Sequence, residues 1–403
     1  MAMELTARTA AGRDLVALAE QLAEDMGQRA PGHDRDGSYP FQSIDALRDS
    51  GYFAAPVPEE LGGLGVSSVH DVIVASGRLA RGDASVAIGV NMHLVVVLSI
   101  LRRWSIARAA GNERRERAFA GSLRAIAGGN VVMAAAMSEP GQDLTRPATS
   151  AVRTETGWRI DGHKIFCTMS PAATALVTSV RFVDDEGVER FGYAEIPAGT
   201  PGLRINDDWD ALGMRASGSH SVTLTGVELP ASALRGGFPA GELVPYLERN
   251  LDSGLFHASA SLGIAEAAHA TAVRPERIGE DPRARMLVAE STIDLSASRA
   301  AIARAAMLID DHHAANPTSL GTDEEITALF AEAQAAKTFV GEAAARVVDR
   351  ALGLSGGAGY LNGSPLARAY RDVRAGGFMH PLGANRAYTF LGDFALGRRP
   401  DLR

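Results

Sequence analysis

The chain has 403 residues, of which 46% are hydrophobic and 22% are charged, as in globular proteins large enough for two or three structural domains. Its formal net charge of -8 argues against nucleic acid or an anionic membrane surface as a partner, since both need clustered Lys and Arg. A small-molecule substrate is therefore expected, and the single cysteine, Cys167, excludes an internal disulfide and indicates the cytoplasm.

The first third of the chain is predicted to be helical. Apolar residues recur at helical spacing from Ala7 to about Gln28, and a loop rich in Pro and Gly is predicted at residues 31–40. Further helices are predicted at residues 43–49, 68–81 and 84–101. The last of these carries His93, which on an apolar helix is more often a buried core residue than a functional one. No segment has the pattern of a signal peptide or of a membrane span, so residues 1–133 are predicted to form a helical domain without a membrane contact.

Short alternating runs replace the helical pattern from residue 134 onward. A hairpin is predicted around a turn at residues 155–157, with a second turn at Asp161 and Gly162. Further strands are predicted at residues 176–183, 191–196 and 222–229. These patterns predict a β domain over residues 134–232.

Long helices are predicted again from Glu242 to the end, which gives a helical domain over residues 233–403. The last long helix has a capping box formed by Thr322 and Glu325 at its start. The run of glycines at residues 356–359 is too flexible to continue that helix. Such a loop allows backbone N–H groups to approach an anion, although a plain helix-ending turn has the same composition.

Four phrases occur in the order found in the acyl-CoA dehydrogenase superfamily, which binds a flavin, and the chain resembles that superfamily over nearly its whole length. The phrases are Met137-Ser138-Glu139-Pro140-Gly141, the segment 164–170, the segment 212–221, and the glycine loop followed by Tyr370-Arg371-Asp372. The resemblance implies an α+β fold with an N-terminal helical domain, a central β-barrel or sandwich domain and a C-terminal four-helix bundle.

The resemblance also implies the residues that bind FAD and those that border the substrate. The implied flavin-binding residues are Met137, Ser138, Phe166, Thr168, Gly356, Gly357 and Gly359. The implied loop residues beside the substrate are Arg215, Ser217 and Ser219. No metal site is predicted.

The catalytic glutamate of the dehydrogenases is absent at both of the positions that the superfamily uses. His380 occupies the first position and Ser253 the second, with Asp252 next to it. The superfamily includes flavin-dependent monooxygenases that lack the glutamate and use histidines, and the chain resembles these more closely. The resemblance therefore implies catalytic roles for His380 and His93, as base or hydrogen-bond donor, and for the hydroxyl of Ser170.

Flavin binding is expected to differ from that of a dehydrogenase. Residues 273–279 lack the phenylalanine of the family's Arg-x-x-Phe-Gly phrase. Gly353 stands where the family has a glutamine ahead of the Gly-Gly pair. The resemblance therefore implies that FAD is held more loosely or that FMN replaces it. No nicotinamide-binding fingerprint follows a predicted strand, which indicates that a separate reductase supplies the reduced flavin. The glycine loop of the family reaches the flavin of a neighbouring protomer, and a homotetramer is therefore expected.

The function implied by these residues is that of a two-component monooxygenase. Such an enzyme forms a flavin C4a-hydroperoxide and transfers oxygen to an aromatic carbon, an amine or a sulfur. Two alternatives remain at this point. One is an acyl-CoA or acyl-carrier-protein dehydrogenase with Asp252 as a displaced base, and the other is a flavin-binding protein without catalytic activity.

Overall fold

A computed structural model describes residues 4–141, 143–400 and 402 of the chain. Buried apolar side chains form two clusters, one shared by the N-terminal and C-terminal helices and one inside the β domain. The predicted order of helical, β and helical domains is confirmed.

The helices of the N-terminal domain are α1 Ala10–Asp36, α2 Phe41–Asp49, α3 Val69–Gly82, α4 Ala84–Ala109 and α5 Glu113–Ala127. Helix α3 is mostly buried and packs against the long first helix on one side and against α4 on another. The Thr9 hydroxyl caps α1 by accepting from Gly12 N at 2.9 Å, and it donates to Asp71 of α3 at 2.7 Å. This contact fixes the start of α1 to α3.

Helix α4 is buried on almost all sides. By length and composition it is apolar enough to cross a membrane, and 78% of its most apolar window is buried inside the protein. Its N-cap is Asp83, whose Oδ1 accepts from Ser85 N at 2.9 Å and from Val86 N at 3.2 Å. A helix without a polar face fits the centre of a helical core.

The β domain is one mixed sheet. Its strands are β1 Met133–Ala136, β2 Ser150–Arg153, β3 Gly157–Cys167, β4 Ala175–Val183, β5 Glu189–Pro197, β6 Leu203–Ile205, β7 His220–Pro230 and β8 Leu234–Pro239. Their order is β6-β7-β3-β2-β4-β5-β8, and β1 pairs with β4 in parallel. Because β1 leaves the helical domain at the sheet's centre, residues that follow it lie at the junction between the domains.

The C-terminal domain consists mainly of three long helices that pack on each other and on α3. Its helices are α6 Val244–Arg249, α7 Ser253–Ala272, α8 Pro275–Ile278, α9 Pro282–Ala315, α10 Asp323–Ser355, α11 Gly357–Tyr360, α12 Pro365–Asp372 and α13 Ala384–Ala395. The predicted capping box of α10 is confirmed, since Thr322 Oγ1 accepts from Glu325 N at 3.2 Å and Glu325 Oε2 accepts from Thr322 N at 2.8 Å.

The Tyr-Arg-Asp phrase joins the three domains. Arg371 forms a two-pronged ion pair with Asp34 at the end of α1, at 2.8 and 2.5 Å. Asp372 accepts from Met214 N at 2.6 Å, and burial raises the pKa of this carboxyl to about 7. Arg215 donates from Nε to the Asp34 carbonyl at 2.7 Å. The phrase and the loop at 212–217 therefore hold the domains in register.

Three local predictions were wrong, each for a physical reason. Helix α1 continues through Pro31 to Asp36 because Arg371 and Arg215 anchor Asp34, and it ends only at Gly37, which has a φ of 62°.

The predicted turn at residues 161–162 is part of β3. Gly162 is required there because a Cβ would lie 2.3 Å from Thr149 Oγ1.

The end of the β domain also differs from its prediction. The last strand, Leu234–Pro239, pairs with β5 and lies beyond the predicted boundary at residue 232. Its sequence, Leu-Arg-Gly-Gly-Phe-Pro, has the glycines and proline of a loop, so the strand has no pattern of its own.

Candidate active site

The segment after β3 and the loop before β7 bring four predicted residues together. Thr168 Oγ1 and Ser219 Oγ lie 2.9 Å apart, and Ser219 Oγ lies 2.7 Å from Ser217 Oγ. Ser170 is fully buried and its hydroxyl donates to the Gly218 carbonyl at 3.1 Å. This group forms a hydroxyl cluster at the end of β3.

Phe166 lies beside that cluster in an unusual conformation. Its φ is 56°, and 59% of its side chain is exposed, with only an edge contact to Trp209 at 6.0 Å between ring centroids. A large aromatic ring in the left-handed region is strained, and strain of this kind is concentrated at ligand sites. An exposed aromatic face next to hydroxyl groups fits a planar, polar-edged ring such as a flavin.

Met137 and Ser138 lie next to this strand end. Ile165 N donates to Ser138 O at 2.9 Å, which pairs the segment after β1 with β3. Met137 lines a cavity of about 70 Å³ between the β domain and the helices, and His380 lines the same cavity. We refer to this space as the junction cavity. The structure thus places Met137 and Ser138 beside the end of β3, and Met137 shares the junction cavity with His380.

A buried ion pair that the sequence analysis did not single out holds this region together. Lys164 Nζ contacts Glu139 Oε1 at 2.7 Å, and the same carboxylate accepts from Thr149 N at 2.9 Å. Burial works to raise the pKa of Glu139, but Lys164 and the hydrogen bonds hold it below its usual value. Glu139 and Lys164 belong to two of the predicted phrases, so the pair fixes these phrases to one another.

His380 is positioned by the residues around it. Asn250 donates from Nδ2 to Tyr246 O at 2.8 Å, so its Oδ1 faces His380 and accepts from His380 Nε2 at 2.8 Å. Because an amide oxygen only accepts, Nε2 carries the proton and Nδ1 keeps its lone pair. Within the part of the chain that the structure describes, no group donates to Nδ1.

The charge state of His380 follows from its surroundings. Burial, together with the charge of Lys337, lowers the pKa of His380 to about 3. Lys337 is itself buried and donates to Met379 O and, at 2.7 Å, to Leu382 O. Burial lowers the pKa of Lys337 to about 7. His380 is therefore a neutral imidazole at physiological pH, in a loop that one ammonium group holds on both sides.

His93 lies elsewhere, inside the N-terminal core. Its Nε2 lies 3.1 Å from Phe53 O, and its Nδ1 accepts from Met133 N at 3.0 Å. The side chain is fully buried, and burial lowers its pKa to about 4. Both ring nitrogens thus bind the backbone where β1 begins. This arrangement is that of a structural histidine, and a catalytic role for His93 has no geometric support.

Two other groups of predicted residues lie apart from the junction cavity. Gly356, with a φ of 64°, and Gly357 are exposed after α10, whereas Gly359 is buried against Ser355. The segment continues as the short helix α11 to Tyr360, which is 80% exposed. Arg215 binds the Asp34 carbonyl, as described above, and its contacts are those of a residue that joins domains.

Asp252, the candidate base of a dehydrogenase, lines a different and larger space. This large cavity has a volume of about 760 Å³ and shares Ser99 and Arg249 with the junction cavity. Burial raises the pKa of Asp252 to about 7. Among the described residues, no three His, Cys, Asp or Glu side chains are arranged to hold a metal ion.

Known proteins are similar to this chain in all three of its domains. The chain matches the N-terminal domain of acyl-CoA dehydrogenases at residues 9–117, the middle domain at 134–227 and the C-terminal domain at 254–381. It is 34% identical to an amino sugar nitrososynthase of Streptomyces peucetius, over 97% of this chain and 95% of that protein.

Two solved structures are similar over their whole length. A nitrososynthase from Micromonospora carbonacea var. africana is 32% identical, with a TM-score of 0.87, over 98% of this chain and 100% of that one. KijD3 in complex with FMN and dTDP-3-amino-2,3,6-trideoxy-4-keto-3-methyl-D-glucose is also 32% identical, with a TM-score of 0.87, over 98% of this chain and 96% of that one.

These comparisons confirm the predicted fold class, the flavin cofactor and a flavin-dependent oxidoreductase on the monooxygenase side rather than the dehydrogenase side. Three matched domains in order, covering well over half of the residues, also explain why the sequence phrases occur where they do. The chain belongs to the acyl-CoA dehydrogenase superfamily.

Proposed function

We propose that the chain is a flavin-dependent N-oxygenase that converts the amino group of a sugar substrate to a hydroxylamino group and then to a nitroso group. The observation that carries the proposal is the neutral His380 in the junction cavity, at the position where a dehydrogenase needs a carboxylate. Similarity to amino sugar nitrososynthases over 97% of the chain supports the class of substrate.

Oxygen and electrons balance in two rounds. In the first round the amine R–NH₂, O₂ and a two-electron-reduced flavin give R–NHOH, water and oxidised flavin. In the second round R–NHOH takes up another oxygen atom in the same way and loses water to give R–N=O. Each round consumes one O₂ and one reduced flavin, so the nitroso product requires two of each.

His380 acts on the substrate amine as a hydrogen-bond acceptor. With Nε2 held by Asn250, the lone pair on Nδ1 accepts from an amine N–H and orients the nitrogen. A pKa of about 3 makes His380 too weak a base to hold a proton from an ammonium group. Burial, together with the charge that Lys337 carries at and below about pH 7, disfavours a protonated amine, so the site selects the neutral amine, whose lone pair is the nucleophile. This role replaces that of base or donor in the sequence-based prediction.

The residues that fit the flavin are Phe166, for the ring face, and Thr168 with Ser138, for its polar edge. The bound reduced flavin supplies the activated oxygen. We propose FMN rather than FAD because residues 273–279 lack the phenylalanine that grips adenine in the dehydrogenases. The complex of KijD3 with FMN is consistent with this choice.

We further propose a homotetramer that receives reduced flavin from a separate cytoplasmic reductase. Exposed apolar side chains on the C-terminal helices support self-association: Met286, Ile293, Tyr388 and Leu396 are each more than half exposed. The exposed loop at residues 356–361 would then reach a neighbouring flavin. Light scattering that gives a monomer at micromolar concentration would contradict this assembly.

The function is tested by turnover with a flavin reductase, NADH, FMN, ¹⁸O₂ and a thymidine diphosphate amino sugar. The expected result is one ¹⁸O atom in the hydroxylamino and nitroso products, detected by mass spectrometry, and no product without the reductase. Flavin bleaching by an acyl-CoA under anaerobic conditions would instead identify a dehydrogenase. A protein that does neither would be the flavin-binding protein without activity.

A further inference from the structure

The large cavity opens next to the junction cavity, and one cation lies between them. Arg249, at the end of α6, lines both spaces. The volume of about 760 Å³ is within the range of pockets that enclose ligands of nucleotide size. The rest of its lining comes from α4, from the ends of α6 and α9, and from the segments that lead into α1, α3 and α7, so the cavity belongs to the helical part of the protein.

Among the described residues, no carboxylate forms an ion pair with the guanidinium of Arg249. It stacks on Tyr193, with Cζ 4.1 Å from the ring centroid, and its Nε is buried without an acceptor. Among the described residues none accepts a hydrogen bond from this side chain. The adjacent carboxylate, Glu248, is already paired with Arg103 at 2.6 Å. Arg249 is therefore a cation fixed on an aromatic ring, and its Nε–H has no acceptor among the described residues.

A buried guanidinium without an anionic partner costs folding free energy unless a ligand supplies that partner. Burial and the neighbouring Arg103 lower the pKa of Arg249 to about 10, so the group stays charged at neutral pH. Stacking on Tyr193 fixes the plane of the guanidinium and leaves its N–H edge free. That edge matches two phosphate oxygens in geometry and in charge.

The other charged groups of the cavity do not neutralise this cation. Arg8 and Arg102 add further positive charge, and Arg102 donates to backbone carbonyls of residues 313, 316 and 319 rather than to a carboxylate. The carboxylate of Asp310 accepts hydrogen bonds from the Ser68 hydroxyl at 2.7 Å and from Val69 N at 2.7 Å. Burial raises the pKa of Asp252 to about 7, which reduces its negative charge. The wall around Arg249 thus favours an anion.

We propose that Arg249 binds the diphosphate of a nucleoside diphosphate-linked substrate, with the nucleoside in the large cavity and the sugar amine at His380. This inference rests on the proposed function and adds the part of the site that recognises the carrier. The position of Arg249 at the passage between the two cavities sets the order of nucleoside, diphosphate and sugar. A flavin phosphate has the same chemistry, so the experiment separates the two sources.

The test compares wild-type protein with Arg249→Met, which keeps an unbranched side chain over Tyr193 and removes the charge. Arg108→Met is the matched control, because Arg108 also stacks on an aromatic ring, Trp104 at 5.0 Å, but lines neither cavity. Binding of thymidine diphosphate, thymidine and FMN is measured by calorimetry, and a thermal melt of each variant confirms that it is folded.

We expect thymidine diphosphate to bind at least about tenfold more weakly to Arg249→Met, with thymidine and FMN unchanged and Arg108→Met like wild type. Arg249→Lys should recover only part of the loss, since a point charge lacks the fork. Unchanged affinity for thymidine diphosphate would overturn the inference, as would a loss confined to FMN or no diphosphate binding by wild type. These binding results do not depend on turnover, so a failure of oxygenation is a separate outcome.

Discussion

The charge of Lys337 can be removed without a large change in shape, and Lys337→Met is therefore the most informative single substitution. Lys337 Nζ donates to the carbonyls of Met379 and Leu382, on either side of His380. Methionine fills a similar volume but leaves both carbonyls without their donor, while it removes the cost of a buried charge. The two effects oppose each other, and pH separates them because only the second depends on protonation.

The size of the charge effect follows from the pKa of Lys337. Burial lowers that pKa from 10.5 to about 7 in the folded protein. The difference of about 3.5 pH units corresponds to on the order of 5 kcal/mol at full expression. Between about pH 7 and pH 10.5 the unfolded chain holds the proton and the folded protein does not. The free energy of unfolding of the wild type, relative to that of Lys337→Met, therefore rises with pH in this range. It falls again as the pH is lowered to 7.

Urea unfolding at fixed protein concentration measures this effect. From about pH 7 to about pH 9 we expect the wild type to gain about 2 kcal/mol over Lys337→Met. Thr338→Val, at the next position of α10, should show no such change with pH. An equal difference between wild type and Lys337→Met at both pH values would refute a buried, depressed lysine. The rate should show a matching limb near pH 7 that is absent from the variant, which a purely structural lysine would not produce.

Three further predictions concern the site. His380→Ala should lose about tenfold or more in kcat, with flavin affinity unchanged. His380→Gln should keep part of the rate, because its amide oxygen can accept a hydrogen bond from the substrate. His380→Glu should not restore oxygenation. Glu139→Gln should lower the free energy of unfolding by about 3 kcal/mol or more, because Lys164 is left charged and unpaired, and urea titration measures this. Phe166→Ala should weaken FMN binding by about tenfold, measured by fluorescence titration, with an unchanged melting temperature because the ring is 59% exposed.

The residues of the candidate site differ in how far the sequence alone could predict them. Phe166, Thr168 and Ser138 belong to short phrases whose order is characteristic, and the structure places them at one strand end. Asn250 and Lys337 have no such phrase. They lie 130 and about 40 residues from the groups they bind, and only the packing of α6 and α10 on the His380 loop brings them together.

The secondary structure was predictable where local chemistry decides it and unpredictable where distant contacts do. The capping box at Thr322 acts within four residues, and it was predicted correctly. Pro31 and Gly162 were interpreted as ends of elements, because proline and glycine usually have that effect. In the folded chain an ion pair to Arg371 holds the helix beyond Pro31, and the close approach of Thr149 requires Gly162 inside a strand.

On the role proposed for His380, its environment decides between the two chemistries of this superfamily. A dehydrogenase transfers a proton from its substrate to a base, and the base must then hold that proton. His380, with a pKa near 3 and with Lys337 nearby, does not hold a proton at neutral pH. Oxygenation of an amine needs the opposite condition, because the substrate nitrogen must stay neutral with its lone pair free. Replacing the histidine alone leaves the charge that Lys337 carries at and below about pH 7, which lowers the proton affinity of a carboxylate at position 380, and we expect His380→Glu to acquire acyl-CoA oxidation only after Lys337 is also removed. Anaerobic flavin bleaching by the single and double variants decides this, since bleaching by His380→Glu alone would show that the lysine does not govern the chemistry.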